Sequence, residues 1–182
     1  MILVTIKDDM MLKPLLFTAI LGFSVQACAH ENHQNSADTA KAILKNADYK
    51  AIGHVKFEQG SNGVLVGISA QNISEGWHAI HVHEIGDCSG EGFKSTGGHA
   101  AGAHSHHHGF MEGKGLHAGD MPNIWAHADG SSKAQAFLHD VKLTDLLDED
   151  GAAVIIHENA DDYASQPSGA AGARIACGVI NE

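Results

Sequence analysis

From residue 39 onward, apolar residues recur in short runs, many of which alternate with polar residues or are rich in β-branched side chains. Turns rich in glycine and asparagine separate eight such runs, at residues 39–44, 51–59, 63–70, 77–84, 123–129, 131–139, 152–158 and 173–180. Short runs of this kind with frequent turn signals are typical of sandwiches and barrels. The pattern therefore predicts an all-β, eight-stranded sandwich or barrel.

Two shorter patterns add local detail to this prediction. The stretch QGSNG (residues 59–63) indicates a hairpin turn, because asparagine followed by glycine tolerates the positive φ of tight turns. In KLTDLLDEDG (residues 142–151) leucines spaced three and four apart predict one short helical turn. Segments 85–121 and 159–172 are rich in glycine and poor in large apolar residues. Loops this long in a small domain are usually functional or disordered, and we expect functional loops here.

The first 29 residues have the layout of a secretory signal. Lys13 precedes an apolar run that ends in small residues, and the polar stretch 30–38 follows as a linker to the folded domain, 39–182. Two ways of processing the leader remain open. The stretch VQAC is similar to a lipoprotein processing site that would anchor the protein through a lipid on Cys28, whereas ACA is an ordinary cleavage site that would discard Cys28. Both alternatives predict a periplasmic protein, which is lipid-anchored in the first case and soluble in the second.

Cysteine count and charge narrow the picture further. Once Cys28 is lipidated or removed, Cys88 and Cys177 are left as one pair, which favours a disulfide in an oxidising compartment. The formal charge of −11 argues against nucleic-acid binding. It also means that an anionic substrate would need a local positive charge to attract it.

Histidines concentrate in the long loop and at strand ends. His81 and His83 alternate within one strand and therefore share a face, with His78 on the other face. His99, His108 and His117 are spaced nine apart, and Asp120 follows three residues after the last of them, which makes a complete tetrahedral set for zinc. His157 ends an apolar strand and could add a third nitrogen to the His81 and His83 pair.

Six motifs occur in order along the chain: HAIHVHEIGDCS, GGH, HHHG, HAGDMPN, VIIHENADDY and GARIACGVI. In this order they resemble the exported bacterial copper/zinc superoxide dismutases, over about residues 39–181. The resemblance implies a Greek-key fold and an enzyme that converts superoxide to oxygen and hydrogen peroxide as copper alternates between Cu(II) and Cu(I). Zinc is then the structural metal. A monomer and a homodimer are both compatible with the resemblance.

The resemblance also implies a role for individual residues. The copper ligands are His81, His83, His99 and His157, and the zinc ligands are His99, His108, His117 and Asp120, so that His99 bridges the two metals. Asp161 is implied as the carboxylate that orients one ligand of each metal, and Arg174 as the residue that holds the anion near copper. The Cys88–Cys177 pair matches the family's disulfide between the metal loop and the last strand.

Some residues of the histidine-rich loop are left over by this assignment. The stretch GGHAAGAHSHHHG (residues 97–109) contains five histidines, and His104, His106 and His107 are extra. A shift of the zinc role from His108 to His106 or His107 stays open, as does a contribution of Lys94 and Lys114 to attraction of the anion. A periplasmic copper/zinc buffer without catalysis would explain the extra histidines, but it would need neither Arg174 nor Asp161.

Overall fold

The computed structural model describes residues 38–102, 107–111, 113 and 116–182. The predicted leader with Cys28, most of the linker, His104, His106 and Lys114 lie outside the described residues. The boundaries between leader, linker and domain therefore stay predictions. Within the described part of the chain, no helix is long and apolar enough to span a membrane.

Within the described residues, nine strands and two short 3-10 helices make up the regular structure. The strands are β1 (Thr39–Asn46), β2 (Ala51–Gly60), β3 (Gly63–Ala70), β4 (Gly76–His78), β5 (Ile80–His83), β6 (Ile124–Ala126), β7 (Ser132–His139), β8 (Ala153–His157) and β9 (Arg174–Asn181). The 3-10 helices are Glu91–Thr96 and Leu143–Leu146, and the second confirms the predicted helical turn.

Seven of the strands form one antiparallel sheet in the order β5-β8-β9-β1-β2-β3-β7, and β4 pairs with β6 in a separate two-stranded sheet. Each strand of this small sheet runs in the chain directly before an edge strand of the large one, β5 or β7. The two strands of the small sheet are therefore each connected along the chain to one edge of the large sheet. The all-β prediction is confirmed.

All eight predicted runs contain strands, but the run 77–84 is divided. It contributes Trp77 and His78 to β4, which pairs with β6, and Ile80 to His83 to β5, which pairs with β8. Nine strands therefore stand where eight were predicted. The prediction that His78 lies on the opposite face of the strand of His81 was wrong, since the two residues belong to different strands.

The predicted hairpin joins β2 to β3, with Gly60 paired to Gly63. Its positive φ is at Gly63, at 147°, rather than at Asn62. Alternation within the strands buries one face of the sheet; in β1, for example, Ala40, Ala42 and Leu44 are buried while their neighbours are exposed. The core between the sheet faces is filled by aliphatic side chains and Phe57.

Two long connections separate strands along the chain, residues 84–123 between β5 and β6 and residues 158–173 between β8 and β9. They correspond to the two predicted loops. The disulfide Cys88–Cys177 ties the first of them to β9, across 89 residues of sequence, and confirms the predicted pairing. Phe93 packs beside this disulfide in a small cluster with Ala153 and Ile155 of β8.

Candidate metal centre

Three histidines of the centre come from paired strands. His81 and His83 lie on β5, and His157 ends β8, the strand that pairs with β5. All three side chains are buried, with exposures of 0%, 1% and 3%. Because the strands are neighbours in the sheet, residues far apart in the sequence meet at one end of the barrel.

The long loop returns alongside β5 and adds the remaining histidines. Backbone bridges pair His83 with His99 and His81 with Asp120. The amide of Ala100 donates to the carbonyl of Val82 (2.9 Å), and the amide of Val82 donates to the carbonyl of Gly119 (2.9 Å). The backbone of β5 therefore fixes His99 and Asp120 next to the strand histidines.

Five buried imidazole nitrogens of the described residues have no hydrogen-bond partner, and four of them lie in this group: Nδ1 of His81, and Nε2 of His83, His99 and His157. These four residues offer ligand atoms that all lie within 4.8 Å of one another. A buried nitrogen without a partner is costly unless a ligand satisfies it. Four such nitrogens at one point are a donor set suited to a copper ion.

A second set of ligand atoms surrounds one carboxylate oxygen. Oδ1 of Asp120 lies 2.9 Å from Nδ1 of His99, 3.0 Å from Nδ1 of His108 and 3.6 Å from Nδ1 of His117. Nδ1 of His117 has no hydrogen-bond partner. Three imidazole nitrogens and one carboxylate are a ligand set typical of zinc.

The tightest grouping around Asp120 contains His81 in place of His117, together with His99 and His108. Nε2 of His81, however, already contacts Oδ2 of Asp161 at 2.8 Å, while its Nδ1 belongs to the first set. His117 has no competing partner, and its ring lies 5.4 Å from that of His99 between centroids. The chemistry therefore favours His117 as the fourth member of the second set.

Asp161 connects the two ligand sets. Its Oδ2 lies 2.8 Å from Nε2 of His81, and its Oδ1 lies 3.0 Å from Nε2 of His108. Outer carboxylates of this kind fix the ring orientation of a metal-binding histidine. The residue chosen from the sequence thus touches one histidine of each set.

Three histidines of the centre, His83, His99 and His157, are held neutral. Burial lowers the pKa of His83 to about 2, with the charges of His99 and Arg174 acting in the same direction. Burial likewise lowers the pKa of His157 to about 3. For His99, burial outweighs the hydrogen bond to Asp120 and lowers the pKa to about 4. Neutral imidazoles are the form that binds a single metal ion, so His83 and His157 need not lose a proton to become ligands at pH 7.

His108 and the carboxylates behave differently. Burial lowers the pKa of His108, but its hydrogen bonds with Asp120 and Asp161 outweigh that effect and raise it to about 9. Burial would raise the pKa of both carboxyl groups, yet their hydrogen bonds with His108 hold both well below the usual range. In the metal-free protein a proton on His108 therefore supplies part of the positive charge that a metal ion would bring.

A cavity of about 420 Å³ opens beside the first set and is lined by His83, His99 and His157 together with Arg174. The Arg174 guanidinium is fixed by three hydrogen bonds. It donates to the carbonyl of Phe93 (2.8 Å), to Oγ1 of Thr96 (2.9 Å) and to the carbonyl of Gly97 (2.7 Å). A cation at the cavity wall suits an anionic substrate. Lys94 is exposed and is not among the residues that line this cavity.

Sequence reasoning missed several residues that support the centre. His78 is buried between two backbone carbonyls, with Nδ1 2.8 Å from the carbonyl oxygen of His157 and Nε2 2.8 Å from that of Ser74. Asn123 accepts from the amide of Asp161 (2.8 Å) and donates to its carbonyl (2.9 Å). No spacing in the sequence signals these contacts, because the partners are backbone groups, which carry no residue identity.

The second loop supports His108 in the same way. Oε1 of Gln166 accepts from the amide of His108 (3.0 Å), and Nε2 of Gln166 donates to its carbonyl (2.7 Å). Gly169, at a φ of 66°, lies so close that a Cβ there would collide with the Asp161 carboxylate and the His108 ring. His108 is thus buried and hydrogen-bonded to Asp120, Asp161 and Gln166. The adjacent His107 is exposed.

Comparison with known proteins gives a consistent result. The family model described as copper/zinc superoxide dismutase (SODC) matches residues 51–180. The superoxide dismutase [Cu-Zn] of Caulobacter vibrioides is 41% identical over 148 residues, which cover 78% of this chain and 85% of the relative. A superoxide dismutase-like protein of Bacillus subtilis is 37% identical in its crystal structure, with a TM-score of 0.70 over 76% of this chain and 96% of that chain. The Cu/Zn superoxide dismutase of Brucella abortus is 29% identical, with a TM-score of 0.68 over 79% and 99%.

Proposed function

The chain belongs to the copper/zinc superoxide dismutase family, and we propose that it holds copper and zinc in two adjoining ligand sets that share His99. It is an enzyme that converts superoxide to oxygen and hydrogen peroxide, with copper and zinc as its metals. The observation that carries the ligand assignment is the convergence of four buried, unpartnered imidazole nitrogens beside a carboxylate with three further imidazole contacts.

The copper set consists of Nδ1 of His81 and Nε2 of His83, His99 and His157. The zinc set consists of Nδ1 of His99, His108 and His117 together with Asp120. Copper, when bound, supplies the one-electron chemistry that superoxide needs, and zinc supplies a fixed positive charge without redox chemistry.

His99 has one nitrogen directed at each set, since Nδ1 contacts Asp120 and Nε2 has no partner. Its ring must lose both protons to serve both metals, which two adjacent cations favour. When Nε2 is not a ligand, we propose that it holds a proton and donates it to the reduced substrate. A second proton comes from solvent, through the cavity that His99 lines.

Arg174 positions the anion. Its three hydrogen bonds to the 93–97 segment fix the guanidinium at the cavity wall, close enough for its charge to lower the pKa of His83 and His157. On a chain of formal charge −11, this fixed cation is what attracts superoxide into the cavity. A metal buffer would need no such residue, and the family membership supports the enzyme over that alternative.

Two substitutions test the ligand assignment. His157→Ala should abolish dismutation and copper binding while leaving zinc in place, because His157 belongs to the copper set alone. Asp120→Ala should instead lower zinc content and loosen the loop. Metal analysis by mass spectrometry and an activity assay on both variants distinguish the two sites. Loss of the same metal from both variants would contradict the assignment.

We also propose that the protein is exported, by the leader that the sequence predicts at residues 1–29. Lipidation of Cys28 and its removal with the leader give different mature proteins, and the mass of the mature protein distinguishes them. An acylated Cys28 means a lipid-anchored protein, and an N-terminus near His30 means a soluble periplasmic one. Retention of an unmodified Cys28 would contradict both.

The homodimer stays a prediction, for which sedimentation of the purified enzyme is the test.

A further inference from the structure

Several lysines lie at outward-facing positions of the large sheet. Alternation along β1 and β2 directs Lys41, Lys45 and Lys56 outward, together with His54, and β7 adds Lys133. All five side chains are exposed. We call this set the basic face.

The strand register brings these residues side by side. Lys41 lies directly opposite Lys56. In the next row Ile43 faces His54, which faces Ser69, which in turn faces Lys133. Neighbouring strands are about 4.8 Å apart, so each row crosses the sheet within about 15 Å. The residues of the basic face therefore lie within one area of the sheet, with Lys41 and Lys56 as direct neighbours.

Among the described residues, acids are scarce on the basic face. Glu58 is the one acid among the outward positions of β1, β2, β3 and β7, and the described residues give none of the four lysines an ion pair. The chain as a whole carries 22 acids against 11 lysines and arginines. A positive patch on so acidic a chain is a specific feature of this face.

The facing lysines do not help the fold. Like charges directly opposite each other on adjacent strands destabilise a sheet. One acidic residue at either position would relieve the repulsion between Lys41 and Lys56. Since stability does not account for this pair, a partner with negative charge is the more economical explanation.

An exposed apolar residue lies among the charges. Ile43 is 47% exposed on β1 between Lys41 and Lys45, and Phe137, 40% exposed, shares the outer surface on β7. Basic side chains around isolated apolar ones are typical of surfaces that contact the headgroup layer of a membrane. The apolar side chains can enter this layer while the lysines contact phosphates.

The position of the N-terminal segment supports the same partner. β1 begins at Thr39, and residues 29–38 are all that separate it from Cys28. Fully extended, a segment of this length spans at most about 40 Å. A protein anchored at Cys28 would therefore keep β1 near the membrane, although the basic face does not require the anchor.

We propose that the basic face binds the anionic headgroups of a phospholipid membrane. The domain then rests on the bilayer through β1 and β2. None of the residues of the basic face lines the cavity beside the metal centre, so the cavity is not covered by them. This inference does not depend on the metal ligand assignment.

The test is sedimentation with vesicles of phosphatidylcholine alone or mixed with phosphatidylglycerol. The protein is exported with Cys28→Ser, so that no acyl chain is attached, and its mass verifies that the leader has been removed. The variant pair Lys41→Glu and Lys56→Glu reverses the facing charges and keeps their mutual repulsion unchanged. The matched control, Lys94→Glu with Lys142→Glu, makes the same change of net charge at exposed positions off the basic face.

We expect the parent to bind the phosphatidylglycerol vesicles at low salt and not the neutral ones. The Lys41 and Lys56 variant should lose at least about tenfold in affinity, and the control should change by less than about threefold. Dismutase activity of the Lys41 and Lys56 variant verifies folding; if it does not fold, Lys41→Gln with Lys56→Gln replaces it. Equal losses in both variants, equal binding to neutral vesicles, or binding to a polyanion such as heparin without binding to vesicles would overturn the proposal.

Discussion

At the scale of single residues, the centre is a chain of alternating imidazoles and carboxylates. Asp161 contacts His81 and His108, and Asp120 contacts His108 and His99. His108 is therefore held on both ring nitrogens, which explains its raised pKa in the metal-free protein. Such a chain couples the orientation of the proposed copper set to that of the proposed zinc set.

Arg174→Glu should reduce activity by at least about tenfold, since it replaces the cation at the cavity wall with a like charge and opposes entry of the anion. Inhibition by small anions should weaken, and both metals should remain bound because Arg174 is not a ligand. Added salt should slow the parent more than the variant, since the Debye length falls from about 30 Å at 0.01 M to about 10 Å at 0.1 M.

The measurement is initial rate against ionic strength, with metal content determined on the same samples. Arg174→Lys is the matched control, because it keeps the charge but cannot make all three hydrogen bonds to the 93–97 segment. Full activity of Arg174→Glu with both metals in place would remove this role from Arg174.

Most residues of the centre could be predicted from the sequence because a ligand set leaves a chemical signature in residue type and spacing. His78 could not, although its motif was recognised. Its role rests on contacts with the carbonyls of Ser74 and His157, and a backbone carbonyl carries no residue identity. Gln166 was missed for the same reason, since both of its contacts to His108 are to backbone atoms.

At the scale of elements, the existence of strands followed from their own patterns, whereas the division of 77–84 did not. Whether a strand continues past Ala79 depends on its partners, and here β6 ends one pairing and β8 begins another. The amide of Ala79 donates to the carbonyl of Asn159, outside either sheet (2.8 Å). Pairing between distant segments is a tertiary property that the periodicity of one run does not contain.

The disulfide is the element-scale contact with the largest expected effect on stability. Cys88→Ser should lower the free energy of unfolding by about 4 kcal/mol, because the bond closes a loop of about 90 residues in the unfolded chain. Activity should also fall, since the tethered loop supplies the carbonyls of Phe93 and Gly97 that fix Arg174. Denaturant unfolding and initial rates measure the two effects.

Cys177→Ser is the matched control for this prediction, because it breaks the same bond from the side of β9. The two variants should lose similar stability, and reduction of the parent should reproduce the loss. A loss below about 1 kcal/mol in both variants would contradict a tethering role for the disulfide.

At the scale of the whole molecule, the pKa shifts predict how the stability of the metal-free protein depends on pH. His83, His99 and His157 stay neutral in the folded protein, with pKa values of about 2, 4 and 3, while unfolded histidines take up a proton near about 6.5. The unfolded state then binds more protons below pH 6.5, so stability should fall as the pH falls from about 6.5 towards about 4.

His108 gives the opposite limb of the same curve. Its raised pKa of about 9 contributes stability that is complete below about pH 6.5 and is lost as the pH rises towards 9. The melting temperature of the metal-free protein should therefore be highest near about pH 6.5. His108→Asn should remove the loss of stability above about pH 6.5 and leave the loss of stability below about pH 6.5 unchanged. A melting temperature that does not change between about pH 6.5 and 5 would contradict the burial of neutral histidines.

The central claim, that two ligand sets share His99, is tested most directly by the metal content of the purified protein. Protein isolated from the periplasm, or reconstituted with both metals, should contain one copper and one zinc per chain by elemental mass spectrometry. This stoichiometry follows from the two adjoining sets, each with four ligand atoms. A content of one metal per chain in total, or none after reconstitution, would contradict the claim.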